Sequence, residues 1–187
     1  LGKNDECIAL YAGLHGLAQG LDQVLDAARQ ISSEGGCRFV LVGDGPQKQA
    51  LQEKAARLHL TNTGFLDALP SAEMPALVAS ADIILVTLKL YIPGAVPSKL
   101  YEAMASGRPV VLVAEGEAAD IVREYNAGIV VPPGDIDGLA RAVRLLRDRP
   151  ELRKEMGSNG RRAAEAHFDS MRIADRFIEH LEASRRP

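Results

Sequence analysis

Short apolar runs recur along the chain at Ile8–Tyr11, Phe39–Val42, Ile83–Val86, Val110–Val113 and Ile129–Val131. Their continuity, without polar alternation, predicts parallel strands buried on both faces. Thr61 to Phe65 reads as a weaker, shorter strand. Between the runs the apolar positions fall at helical spacing: Leu21, Val24, Leu25, Ala28 and Ile31 make one stripe, and Leu139, Ala142, Val143 and Leu146 another. Met74, Leu77 and Val78 predict a short helix with Ser71 as its N-cap. Met171, Ala174, Ile178 and Leu181 give the last helix an apolar face. Strand and helix alternate throughout, which implies right-handed crossovers and a doubly wound, Rossmann-like α/β sheet. Ligands of such sheets bind beyond the carboxyl ends of the strands.

Composition narrows the picture. At 47% hydrophobic and 25% charged residues, 187 residues suffice for one globular domain, read here as 1–187. A net charge of −3, with basic pairs only at Arg161-Arg162 and Arg185-Arg186, argues against a nucleic-acid partner. No apolar run approaches the ~20 residues of a membrane-spanning helix, and no signal peptide is visible, so the expected location is cytoplasmic. Cys7 and Cys37 lie on or beside strands without metal-ligand spacing and read as buried thiols, with a disulfide as the lesser alternative. His59 and His167 lack partners at metal-ligand spacing and no Asp-x-Asp pair is present, so no metal is expected. The start at Leu1, with a strand a few residues on, suggests a piece of a longer protein.

Candidate chemistry gathers at the predicted carboxyl edge. Gly13-Leu14-His15-Gly16 closes the first strand, where backbone amides can approach a phosphate; a tight strand-to-helix turn requires the same glycines. Gly43-Asp44-Gly45-Pro46 closes the second and reads first as turn chemistry, with Pro46 in the first turn of the next helix. Phe65 and Leu66 stand either against a nucleobase or in the core. Pro97 to Pro109 carries the most information: Pro97 opens a helix of about ten residues, Leu100, Ala103 and Met104 face inward, and Gly107 ends it. Lys99 in the first turn opposes the helix dipole, which a bound phosphate would explain. Glu102, one turn on, can accept from both hydroxyls of a ribose; a Lys99–Glu102 surface pair is the structural alternative. Glu115 to Asp120 can meet a sugar or simply favour a helix N-terminus.

With these residues in order, the chain resembles the C-terminal domain of retaining family 4 glycosyltransferases. The resemblance runs through the Gly13 loop, Gly43–Pro46, Ala81-Asp82-Ile83, Glu102–Gly107 with Pro109, and Gly128–Asp135. It implies a GT-B enzyme, two Rossmann-like domains facing across a cleft, of which this is the donor-binding half and the N-terminal acceptor domain is absent. It further implies a nucleotide diphosphate-sugar donor, UDP-linked, held by Gly13, His15, Gly16, Gly43, Phe65, Leu66, Ser98, Lys99, Leu100 and Glu102. Lys99 and Glu102 are the catalytic candidates. Glu102 matches the second carboxylate of the family's Glu-x7-Glu motif, whereas Gly94 occupies the position of the first, and Leu14 and Gln19 stand where basic residues usually grip the diphosphate. Pro97-Ser98-Lys99-Leu100-Tyr101-Glu102 is similar to a subset active in bacterial surface-polysaccharide assembly, including transferases of UDP-linked amino sugars. The full-length protein is then expected as a hexosyltransferase, cytoplasmic or peripheral at the inner membrane, and the isolated domain as inactive. The rival readings are a GT-B sugar-nucleotide epimerase and a non-enzymatic nucleotide-binding module.

Overall fold

The computed structural model describes residues 6–90 and 93–184; Arg185 and Arg186 lie outside them. Six strands, β1 (Cys7–Ala12), β2 (Cys37–Val42), β3 (Thr63–Leu66), β4 (Ile83–Thr87), β5 (Val110–Val113) and β6 (Gly128–Val131), form one sheet in the order β3-β2-β1-β4-β5-β6. All neighbouring pairs are parallel. The chain therefore winds outward from β1 to β3, returns to β4, and winds outward the other way. The switch between β1 and β4 opens a crevice at the carboxyl ends of those strands, where this architecture places its ligands.

The apolar runs divide by parity, because successive side chains of a strand point to opposite faces. Ala9, Tyr11, Phe39, Leu41, Leu85, Val111 and Val113 join α1 (Asp22–Ile31), α2 (Lys48–Arg57) and α6 (Ile136–Asp148) in one core. Ile8, Leu10, Val40, Val42, Val86, Val110 and Leu112 face the other side. There they meet α3 (Met74–Ser80), α4 (Ser98–Ala105), α5 (Glu117–Glu124) and the end of α7 (Pro150–His167). The stripe from Leu21 to Ile31 and the stripe from Leu139 to Leu146 are buried as expected. Asp82 closes the start of the switch by accepting the Ile8 amide at 2.9 Å, and Asp135 caps α6 through the Gly138 amide at 2.8 Å. Cys7 and Cys37 are free, buried and opposite each other in the β1–β2 register. Their mutual hydrogen bond, followed by burial, pushes the Cys37 thiol far up, which keeps it protonated.

Several local expectations are corrected. Ser71 makes no capping bond; it opens a 3₁₀ turn, Ser71–Glu73, that runs directly into α3, where Pro75 tolerates only a first-turn position. Pro97, with extended ψ of 130°, is the N-cap of α4, which is eight residues long instead of about ten. Pro46 precedes α2 by two residues, so the Gly43 turn is longer than expected. β3 begins two residues later than expected, at Thr63, while the Asn62 side chain ties the preceding turn to the Ala28 carbonyl, 3.0 Å away. The last helix, α8 (Ser170–Ser184), leaves its apolar residues in solvent, with Met171 72% and Phe177 64% exposed. Among the described residues no helix is long and apolar enough to cross a membrane.

Candidate functional site

The crevice is built by two loops laid on each other. The Gly13 amide donates to Val42, the His15 amide to Asp44, and the Gln47 amide to the His15 carbonyl, all at 2.8–2.9 Å. Gly43 has φ of 141°, and a Cβ there would fall on the Gly13 carbonyl oxygen, so its glycine is required by this contact. Gly13, at φ of 140°, leaves the space that the end of the Lys99 side chain fills. The glycines thus serve close packing of loop on loop and loop on lysine.

Lys99 comes from the first turn of α4 and is half-buried. Its Nζ lies 3.3 Å from the Tyr11 hydroxyl and 5.1 Å from the centre of the Tyr11 ring, within cation–π range. The Tyr11 hydroxyl in turn donates to the Leu14 carbonyl at 2.7 Å, and burial raises its pKa out of the physiological range. Burial lowers the Lys99 pKa, with the Glu102 charge acting the other way. No carboxylate among the described residues forms an ion pair with Lys99, so its charge is available to an anion in the crevice. The alternative Lys99–Glu102 surface pair does not form among the described residues. Glu102 is exposed and faces a cavity of about 750 Å³ between α3 and α4, lined also by Ser71, Met74 and Pro75.

His15 is fully buried, between the Tyr11 and Phe65 rings at 5.9 and 6.4 Å, and neither ring nitrogen has a hydrogen-bond partner among the described residues. Burial chiefly, then the charges of Lys48 and Lys99 against that of Asp44, lowers its pKa, so the imidazole is neutral. Phe65 is partly buried against the core, while Leu66 is 45% exposed at the sheet edge; its carbonyl accepts the Gly43 amide at 3.1 Å. Ser98 is exposed at the start of α4. Leu100 is fully buried, its amide bonded to Pro97, so its side chain belongs to the core. Gly16 is buried at the head of the 3₁₀ turn Leu17–Gln19, and the Gln19 and Ala18 carbonyls are held by Thr87 Oγ1 and the Lys89 amide.

The structure thus brings Gly13, His15, Gly43, Phe65 and Lys99 together, with Glu102 on the flank. Sequence reasoning missed Tyr11 as the seat of Lys99; a phenol at the carboxyl end of an otherwise aliphatic strand was the available signal. It also missed that the Glu117 carboxylate accepts the Gly94 amide at 3.2 Å.

Sheet order and crevice define a Rossmann-like domain of the GT-B glycosyltransferase type. The chain superposes on Anabaena Alr3699/HepE, solved in complex with UDP, with a TM-score of 0.85 at 24% identity, covering 96% of this chain and 49% of that one. Residues 1–163 match the family model described as glycosyl transferases group 1, and the chain belongs to that family. It is 34% identical over 141 residues to the probable glycosyltransferase WbjE of Pseudomonas aeruginosa, covering 71% of this chain and 34% of that protein. Against the alpha-D-kanosaminyltransferase of Streptomyces kanamyceticus it is 29% identical over 163 residues, 84% of this chain and 41% of that one. The chain therefore spans less than half the length of these curated relatives.

Proposed function

We propose that this chain is the donor-binding half of a longer retaining, family 4 hexosyltransferase, taking a UDP-linked sugar, amino sugars included, for polysaccharide assembly, and that an acceptor-binding domain completes the enzyme. The observation that carries this reading is Lys99, a half-buried cation without a carboxylate partner held against Gly13 in the β1–β4 crevice. In this reading the diphosphate lies over the Gly13–Gly16 loop. Lys99 and the loop amides meet the charge that grows on the β-phosphate as the glycosidic bond breaks, so they bind the transition state more tightly than the ground state. Protein cations and amides take the role that a divalent ion plays elsewhere. Glu102 accepts from the ribose hydroxyls, Phe65 and Leu66 border the base, and Glu117, steadied on the Gly94 amide, approaches the sugar. The UDP named in the Anabaena complex and the amino sugar in the name of the kanosaminyltransferase support the choice of donor.

Calorimetric titration with UDP, GDP, ADP and NAD tests the reading. UDP is expected to bind most tightly, and Glu102→Ala and Lys99→Ala are each expected to weaken it about tenfold or more, since charge-assisted hydrogen bonds are worth ~1.5–3 kcal/mol. Preference for NAD, or UDP binding indifferent to both substitutions, overturns it. Affinity should also fall at alkaline pH, and sooner than an ordinary lysine would dictate, because burial lowers the Lys99 pKa.

A further inference from the structure

The opposite end of the sheet holds a second charged cleft that the proposed reaction does not use. Asp82 and Pro109 immediately precede β4 and β5, and between them and one face of α7 lies a cavity of about 460 Å³. Arg108, Arg153, Lys154, Arg161 and Arg162 line it, against the single carboxylate of Asp82. Five residues of β4 separate it from the Lys99 crevice, roughly 16 Å of strand. The two sites therefore cannot share one diphosphate.

Some of this charge is already engaged. The Arg153 guanidinium closes the end of α6 through the Arg147 carbonyl at 2.8 Å, Arg161 pairs with Glu165 at 2.6 Å, and Asp82 accepts the Ile8 amide. Among the described residues Arg162 donates to neutral partners alone, Ser158 at 3.1 Å and Asn159 at 2.6 Å. Lys154 has neither an ion pair nor a hydrogen bond among the described residues. Arg108 gives one terminal nitrogen to the Ala79 carbonyl, and its Nε is buried without an acceptor. With Asp82 and Glu165 counted, three positive charges remain in excess, in a chain whose net charge is −3. A buried guanidinium N–H without a partner has given up its hydrogen bond to water for nothing in return, and crowded cations repel. An oxyanion removes both penalties, since a guanidinium fork matches two oxygens of a phosphate and a lysine adds a point charge.

We propose that this cleft binds a phosphate-type oxyanion, carried by a soluble phosphoester or by a phospholipid headgroup, with Arg108 as the inner donor and Lys154 and Arg162 as the outer ones. The volume lies within the range of small-ligand sites and leaves room for a substituent beyond the phosphate. The proposed donors are independent of the donor reading, because Arg108, Lys154 and Arg162 line neither the Gly13–Lys99 crevice nor the cavity that Glu102 faces; Arg161 borders both cavities and is not one of them.

Pyrophosphate titration followed by nitrogen-15 NMR resolves the two sites. Saturable shifts are expected at the Gly107 and Lys154 amides and at the Arg108 Nε–H signal. They should persist in Lys99→Ala and weaken at least tenfold when Lys154→Gln and Arg162→Gln are combined. Both residues are exposed, so an unchanged Tm will show that the fold is intact. Co-sedimentation with phosphatidylglycerol vesicles that is lost in the same double variant assigns the headgroup; pyrophosphate shifts without vesicle binding assign a soluble phosphoester. Absence of saturable shifts at Arg108 and Lys154, or shifts that the double variant leaves unchanged, overturns the proposal.

Discussion

His15 couples the crevice to pH. Its imidazole is fully buried with both nitrogens unpartnered among the described residues, and burial holds its pKa below the ordinary value. The unfolded chain therefore takes up the proton first as pH falls. The stability this neutral side chain contributes is complete above the unfolded pKa and is lost on acidification below it, at up to about 1.4 kcal/mol per pH unit. Urea unfolding between pH 7.5 and 5.5 should show that slope in the wild type and a shallower one in His15→Met, a change of similar volume. The residues of the crevice were unequally legible. Lys99 stood out because a cation opposes a helix N-terminus, a local rule. Tyr11 did not, and Glu117 stood out only as part of the Glu115–Asp120 loop, since their contacts, Tyr11 with Lys99 and Glu117 with Gly94, are closed only by the fold.

The loop after β2 is a packing element before it is anything else. Replacing Gly43 with alanine forces a side chain into φ of 141° and onto the Gly13 carbonyl. Strain alone is worth on the order of 1–3 kcal/mol. A Tm lower by roughly 5 °C or more is expected in calorimetry, together with weaker UDP binding because the Gly13 loop is displaced. A Tm within error of the wild type would mean that the two loops part without cost. Strand and helix types were legible from periodicity, since parallel strands and amphipathic helices leave unlike patterns. Their ends were not. Pro97, Pro46 and Ser71 each sit one or more residues from the expected boundary, because the exit from a strand is set by what the loop packs on: the Gly45 turn on His15, for example.

Both cores were implied by unbroken apolar runs, but which helix covers which face follows from the sheet order. The exception is α8, whose apolar face was legible and whose lack of a cover was not. Met171, Ile173, Phe177 and Ile178 project from a helix that has left the body of the domain. The chain by itself should accordingly self-associate with rising concentration, and Phe177→Glu with Ile178→Glu should return it to a monomer in sedimentation. A monomeric wild type at all concentrations would count against an adhesive role for the stripe.

The seam between β1 and β4 carries a kinetic consequence. Each flank, β1–β3 and β4–β6, is a run of near neighbours in sequence, whereas Ala9 meets Ile83 and Leu10 meets Ile84 across more than seventy intervening residues. Contacts of that separation form late, after the cost of closing the loop has been met. The crevice is therefore expected to be the joint at which two flanks that collapse separately come together. A molecule that touches both the Gly13 loop and α4 would latch that joint, so occupancy should slow the opening of the very strands that fold last.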